Sequence, residues 1–150
     1  MNTNTSPAIH TRRDAVRTLG AAAIGLASAA TSRAVEHTSH PNSQAEHCAK
    51  ACAACLVECA KHIRHCTENL AAGKKEYARC LELCAGCSQV CGACASACFG
   101  PLAKIAAEGC AKACDECAAE CEKFKGDESM LRCAKTCRDC AKACRELAQS

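Results

Sequence analysis

The chain has 150 residues, 19 cysteines and a formal net charge of +3, and this length is typical of a single domain. Its hydrophobic fraction of 49% consists largely of Ala and Cys, because there is no Trp, one Tyr and two Phe. Large apolar side chains alone therefore provide little of the usual core stabilisation. The positive charge lies in residues 1–34, and without them 15 Lys and Arg face 15 Asp and Glu, which argues against a nucleic-acid partner.

Residues 1–34 have the pattern of a twin-arginine-type signal peptide. Arg12 and Arg13 precede an apolar stretch at residues 19–30, and the segment ends in a small-x-small cleavage pattern at Ala34. The apolar stretch is too short to cross a bilayer comfortably, so membrane insertion is not expected. A twin arginine is typical of the pathway that exports folded proteins, which predicts a periplasmic protein; a general secretion signal is the alternative.

After a flexible tether at residues 35–42, the sequence predicts four helices within a domain spanning residues 43–150. A capping box begins the first helix, Gly or Pro separates consecutive helices, and Asp127 is the predicted N-cap of the last one. The expected helices cover about residues 43–72, 74–99, 101–125 and 128–147. Such short connections predict an all-α fold, an antiparallel up-down-up-down four-helix bundle.

The cysteines recur at alternating steps of four and three residues, which places them on one face of each helix and predicts a cysteine-lined core. One step is seven residues long, from Cys59 to Cys66, and His62 occupies the skipped position. The first two helices carry Cys48, Cys52, Cys55, Cys59, Cys66, Cys80, Cys84, Cys87, Cys91, Cys94 and Cys98. The last two carry Cys110, Cys114, Cys117, Cys121, Cys133, Cys137, Cys140 and Cys144.

Antiparallel packing predicts which cysteines lie at the same level of the core. In the first two helices, the expected pairs are Cys66 with Cys80, Cys59 with Cys87, Cys52 with Cys94, and Cys48 with Cys98. In the last two helices, they are Cys121 with Cys133, Cys117 with Cys137, Cys114 with Cys140, and Cys110 with Cys144.

The two ends of this bundle are expected to differ. The histidine end, at the first and third connections, contains the candidate metal ligands His62 and Met130, with His65 expected to be a solvated surface residue. Tyr77, Phe124 and Leu70 are expected to form a hydrophobic cap there. The opposite end, at the second connection, is expected to hold an apolar plug made of Phe99, Leu102, Ala103, Ile105, Ala107 and Leu147. These features predict that metal enters at the histidine end.

Four kinds of chemistry are possible for so many cysteines. A disulfide framework is disfavoured by the odd number of cysteines and by their position on one helical face. Iron–sulfur ligation is disfavoured because no cysteine precedes a proline. Several tetrathiolate zinc sites would bury about two negative charges each, whereas Cu(I) with bridging thiolates forms an almost neutral core. Charge balance therefore favours multiple Cu(I) ions, and a structural or redox-buffering thiol bundle or a zinc or other soft-metal module remains an alternative.

The repeated C-x-x-x-C-x-x-C-x-x-x-C pattern, from Cys110 to Cys121 and again from Cys133 to Cys144, resembles the bacterial copper storage proteins. The resemblance covers about residues 43–148. It implies high-capacity Cu(I) storage or sequestration without catalysis, with the nineteen cysteines as copper ligands and a homotetramer of bundles. Relatives often have His in the third connection; this chain lacks one there, so His62 and Met130 are the expected substitutes. The chain resembles the exported type within this family.

Overall fold

Four α-helices account for most of residues 43–150, the part of the chain that the computed structural model describes. They are α1 (Ser43–Ala71), α2 (Tyr77–Ala97), α3 (Ala103–Cys121) and α4 (Glu128–Gln149), and no strand occurs in this range. Each helix packs against the next, and α4 also packs against α1. The predicted four-helix bundle is therefore confirmed, while the predicted signal peptide and the whole of the predicted tether lie outside the described residues.

The ends of the helices follow local sequence signals closely. Gly73 has a φ of +86° and follows the last residues of α1. The amide of Gly73 donates to the Leu70 carbonyl, and that of Lys74 donates to the Asn69 carbonyl. These bonds form the Schellman motif that glycine favours. α2 begins at Tyr77, slightly later than predicted, because residues 74–76 form a turn.

A close approach between α1 and α2 depends on Gly92. A Cβ atom at Gly92 would lie 3.1 Å from Cδ1 of Leu56 on α1, which is tighter than normal packing. Gly86 and Gly109 have no neighbour at that range. Helix approach therefore explains Gly92 and does not explain the other two glycines.

The expected apolar plug at the opposite end is largely wrong. Phe99, Leu102 and Ile105 are 66%, 61% and 71% exposed, whereas Ala107 and Leu147 are buried. The residues of α3 that continue the cysteine stripe are alanines at positions 103, 106 and 107, because they lie three, four or seven residues before Cys110. Leu102 and Ile105 fall off this stripe, so they face solvent.

One of the described helices, α2, is long and apolar enough to satisfy the length and composition of a membrane span. Its apolar character comes mainly from Ala and Cys, and its cysteine face is buried against the other helices. This is the arrangement of a helix in the core of a bundle, so the feature is weak support for a membrane span.

Candidate metal centre

All nineteen cysteines, which lie within the described residues, point into the bundle core. None is more than 3% exposed, and all nineteen are free thiols. A disulfide framework is therefore not the organising feature of this fold. Buried thiols pack as small hydrophobic groups, which explains how a core with few large apolar side chains excludes water.

The sulfur atoms form contacts across the bundle as well as along single helices. Cys48 lies 3.5 Å from Cys144, between α1 and α4, and Cys80 lies 3.5 Å from Cys121, between α2 and α3. Within α1, the Sγ atoms of Cys48 and Cys52 are 4.0 Å apart. An ion held by two thiolates of one helix therefore also lies close to thiolates of its neighbours.

Groups of four thiols are arranged along the core, with the sulfur atoms of each group within 4.8 Å of one another. Most of the predicted cross-helix pairs occur inside these groups, which confirms the expected register. The groups include Cys48, Cys52, Cys94 and Cys144; Cys52, Cys110, Cys140 and Cys144; Cys55, Cys59, Cys87 and Cys137; Cys55, Cys91, Cys114 and Cys140; and Cys59, Cys117, Cys133 and Cys137.

Neighbouring four-thiol groups share cysteines. Cys52 and Cys144 belong to two groups, and Cys55 also belongs to two. If all groups were occupied, the shared thiolates would have to bridge metal ions. Bridging is ordinary for Cu(I), whereas a structural zinc site usually holds its own four ligands. The geometry therefore favours a chain of bridged Cu(I) ions over a series of independent zinc sites.

The electrostatics of the core also favour Cu(I) over zinc. Among the described residues, His62 is the sole buried side chain that can supply a positive charge. Several Zn²⁺ ions with four thiolates each would leave about two negative charges per site without compensating cations. One Cu(I) per thiolate gives a nearly neutral core, so this set of donors fits Cu(I) better.

The pKa values of the thiols vary along the core. Hydrogen bonds from Cys114 and Cys137 lower the pKa of the Cys55 thiol to about 6. Burial, together with Cys48, raises the pKa of the Cys98 thiol to about 12 at the opposite end. A thiol binds metal as the thiolate, so loading the core releases protons.

His62 completes the cysteine stripe, as its spacing predicted, and is 1% exposed. Its Nδ1 lies 2.7 Å from the Glu58 carbonyl oxygen, and its Nε2 lies 2.5 Å from the Ser129 carbonyl oxygen. When both nitrogens donate, the ring is an imidazolium. Burial lowers the pKa of His62, but Cys133 and the Glu58 carbonyl outweigh burial and raise it to about 9. Metal binding by His62 requires one nitrogen to lose its proton, and this role stays a prediction.

Met130 is fully buried one turn before Cys133. It therefore lies on the cysteine stripe at the histidine end, which is compatible both with a thioether ligand and with core packing. Tyr77 is buried and its ring centroid lies 4.4 Å from that of Phe124. Leu70 is partly buried against the core. The predicted hydrophobic cap at this end is confirmed.

The histidine end also contains a hydrogen-bonded cluster that the sequence did not predict. Oδ2 of Asp127 accepts from Nε2 of His65 at 2.7 Å and from the Tyr77 hydroxyl at 3.0 Å. Its Oδ1 accepts from the amides of Ser129 and Met130, as predicted for the N-cap of α4. The cap could be seen in the sequence, but the partners on α1 and α2 could not. His65 is 29% exposed and is not the free surface residue that was expected.

Together, the fold and the thiol groups define a four-helix bundle with a multinuclear thiolate metal centre. The family model described as "Csp: Copper storage protein" matches residues 100–149. Among solved structures, the chain is similar to "Cu(I)-bound Copper Storage Protein BsCsp3", with a TM-score of 0.65 and 29% sequence identity over 70% of this chain and 98% of that chain. No curated protein sequence matches the chain. Both matches confirm the resemblance to the copper storage proteins that the cysteine spacing predicted.

Proposed function

We propose that this protein stores Cu(I), its cargo, as a chain of thiolate-bridged ions inside the bundle. The observation that carries this proposal is the set of overlapping four-thiol groups, in which neighbouring groups share cysteines. The similar solved structure is named for its bound Cu(I) and for copper storage, which supports the same cargo here. The role is sequestration and release of the ion, without catalysis.

Transfer along the core follows from the sulfur spacing. Cys52 lies 3.7 Å from Cys144 and 3.8 Å from Cys110. Cys110 in turn lies 3.7 Å from Cys91. An ion that has two or three thiolate ligands can exchange one ligand at a time for the next sulfur, without ever becoming uncoordinated. Stepwise exchange of this kind can fill the core from one end.

Anaerobic titration of the fully reduced, metal-free chain with Cu(I), against a competing Cu(I) chelator, tests the proposal. We expect about ten or more tightly bound ions per chain, because each thiolate is shared between ions. Protein whose thiols have been alkylated in denaturant is the matched control and should bind none tightly. A capacity of about four or fewer, as expected for separate tetrathiolate sites, would contradict Cu(I) storage and favour the zinc alternative. No tight binding would leave a structural or redox-buffering thiol protein.

We also propose that the protein is exported in the folded state to the periplasm. Arg12 and Arg13, the apolar stretch at residues 19–30 and the small-x-small pattern ending at Ala34 support this location. Replacement of both arginines by lysine should retain the chain in the cytoplasm, as measured by fractionation of cells that express the full chain. Unchanged export of this variant would contradict the twin-arginine route.

The resemblance also supports a homotetramer of bundles. The exposed side chains of Phe99, Leu102 and Ile105 provide apolar surface for contacts between copies. Analytical ultracentrifugation of the mature chain, spanning residues 35–150, tests this assembly. A monomer at all accessible concentrations would contradict it.

A further inference from the structure

The cysteine core is closed to solvent at both of its ends. The terminal layer at the histidine end contains Cys66, Cys80, Cys121 and Cys133, and none of these is exposed at all. An ion or a thiol reagent can reach this layer only after the side chains above it have moved. The residues that hold those side chains in place therefore control access to the core.

At the histidine end, a single carboxylate connects three separate segments of the bundle. Asp127 precedes α4 and accepts hydrogen bonds from His65 on α1 and from Tyr77 at the start of α2. The His65 ring lies edge-on to the Tyr77 ring, with centroids 5.8 Å apart. We use the term clasp for these three residues, His65, Tyr77 and Asp127.

The clasp lies at the same end of the bundle as the terminal thiol layer. His65 is adjacent in sequence to Cys66, and Tyr77 is one turn before Cys80 on the same helical face. On the outer side, the clasp borders a solvent-open depression of about 600 Å³, which Tyr77, Phe124 and Asp127 help to line. Separation of the clasp would therefore remove a barrier between this depression and the terminal thiol layer.

The opposite end is closed by different residues. Its cysteine stripes end in Ala45, Ala107 and Leu147, which are buried and have no side-chain hydrogen bonds to break. A polar contact nearby joins His47 to Glu146 at 3.5 Å, but both side chains are substantially exposed. Apolar packing closes the opposite end, whereas the histidine end combines apolar packing with the directional hydrogen bonds of the clasp.

We propose that Asp127 is a positioning residue that controls access to the cysteine core, by holding His65 and Tyr77 together over its terminal layer. Opening of the clasp exposes the thiols of this layer, and closing it shields them. The part of the proposal that concerns copper traffic rests on the proposed storage function, whereas the part that concerns thiol access does not.

The substitution Asp127→Ser isolates this role. Serine is as good an N-cap as aspartate, so the start of α4 is preserved, but its side chain is too short to cap the helix and also reach His65 and Tyr77. Tyr77→Phe removes one hydrogen bond and keeps the ring against Phe124. Asp139→Ser on the exposed face of α4, where Asp139 pairs with Lys135, is the matched control.

The main experiment uses the reduced, metal-free chain and brief alkylation with iodoacetamide under native conditions. Mass spectrometry of proteolytic fragments then gives the rate of modification of each cysteine. We expect Asp127→Ser to accelerate modification of Cys66, Cys80, Cys121 and Cys133 by roughly tenfold, equivalent to about 1.4 kcal/mol. Tyr77→Phe should accelerate the same cysteines by about threefold, and Asp139→Ser should leave all rates unchanged.

The position of the faster cysteines separates local opening from general loss of stability. If Asp127→Ser accelerated the opposite-end thiols Cys48, Cys98 and Cys144 equally, the substitution would act through global unfolding and the proposal would be wrong. Unchanged rates at the histidine end would also overturn it.

Stopped-flow transfer of Cu(I) from a chelator to the same variants extends the test to the cargo. We expect faster uptake by Asp127→Ser with an unchanged number of ions bound. Unchanged uptake kinetics would overturn the copper part of the proposal. A chain that binds no Cu(I) would contradict the proposed function instead, and the alkylation pattern would still decide whether the clasp controls access.

Discussion

The two ends of the bundle carry the same cysteine stripes but end them with different residues. At the opposite end, Ala45, Ala107 and Leu147 continue three of the stripes and are buried. At the histidine end, the stripes continue into Tyr77 and Met130, and Asp127 ties α1, α2 and α4 together. Small apolar residues close one end by packing, and the other end adds a hydrogen-bonded cluster to its hydrophobic cap.

This difference matters because the free-energy cost of opening each end depends on the kind of contact that closes it. Separation of packed alanines exposes apolar surface to water and gains no new interaction. Separation of a clasp exposes polar groups, which water can hydrogen-bond in place of the lost partners, so the net cost is modest. A store that must admit and release ions is therefore expected to exchange them through its polar end.

Cu(I) loading is expected to produce the largest change in the free energy of unfolding. The bound ions would stabilise both ends of the bundle, so the two ends would no longer differ in stability. Thiolates that bridge ions from one layer to the next cross-link all four helices. Even one site at a free concentration of a thousand times its Kd stabilises the fold by about 4 kcal/mol. Thermal unfolding and amide hydrogen exchange of loaded and metal-free protein measure this change. Coincident melting curves would contradict it.

Leu147→Ala is expected to destabilise the metal-free protein by about 2–3 kcal/mol, because it leaves a cavity at the packed end. Leu147 is 2% exposed, whereas Leu131 on the same helix is 41% exposed. Leu131→Ala is therefore the control and should cost less than about 1 kcal/mol. Urea denaturation under anaerobic reducing conditions measures the stability loss of each variant. Equal losses would mean that packing at Leu147 does not hold this end together.

Acid is expected to weaken the histidine end through Asp127. Burial opposes ionisation of this carboxyl group, but His65, the Met130 amide and Tyr77 hold its pKa below the usual range. A lowered pKa in the folded state means that the stabilisation is present above the unfolded pKa of about 3.9 and disappears as the pH falls through the folded value.

The comparison of wild type with Asp127→Ser isolates this contribution. Between pH 5 and pH 2, the wild type should lose about 1–2 kcal/mol more unfolding free energy than the variant. Other carboxylates titrate in both proteins and cancel in the difference. Parallel stability curves across this pH range would show that the clasp contributes no net electrostatic stabilisation.

His62→Gln is expected to slow the transfer of Cu(I) several-fold and to leave the capacity almost unchanged. Glutamine can still donate to a backbone carbonyl, but it is a poor ligand for a soft ion. His47→Gln, on the same helix at the opposite end and largely exposed, is the matched control. If the two variants slowed transfer equally, or neither did, His62 would have no special role in admitting the ion.

Helical periodicity explains why the core was predictable. The alternating steps of four and three residues determine which face of each helix carries sulfur, and short connections force neighbouring helices to be antiparallel. Pairs such as Cys59 with Cys87 and Cys114 with Cys140 follow from these two facts, and both lie within four-thiol groups. His62 was recognised for the same reason, because it occupies a position in the stripe.

The ends of the bundle were less predictable, because periodicity stops there. Phe99, Leu102 and Ile105 are large and apolar, which suggested a plug, but the start of α3 at Ala103 leaves them outside the stripe. His65 lies off the stripe and was expected to be solvated, although Asp127 is its partner. Local sequence contains no information about a contact between residues 62 positions apart.

The sequence by itself determined the helices, the sulfur face of each helix, the register of the cysteine pairs and the preference for a soft monovalent ion. All of these depend on short-range spacing and on the chemistry of thiolates. Only the tertiary structure decided which thiols are shared between groups, that both ends are closed, and that Asp127 joins three segments at one of them. Those features arise where helices meet, and the orientation of side chains there depends on packing between distant parts of the chain.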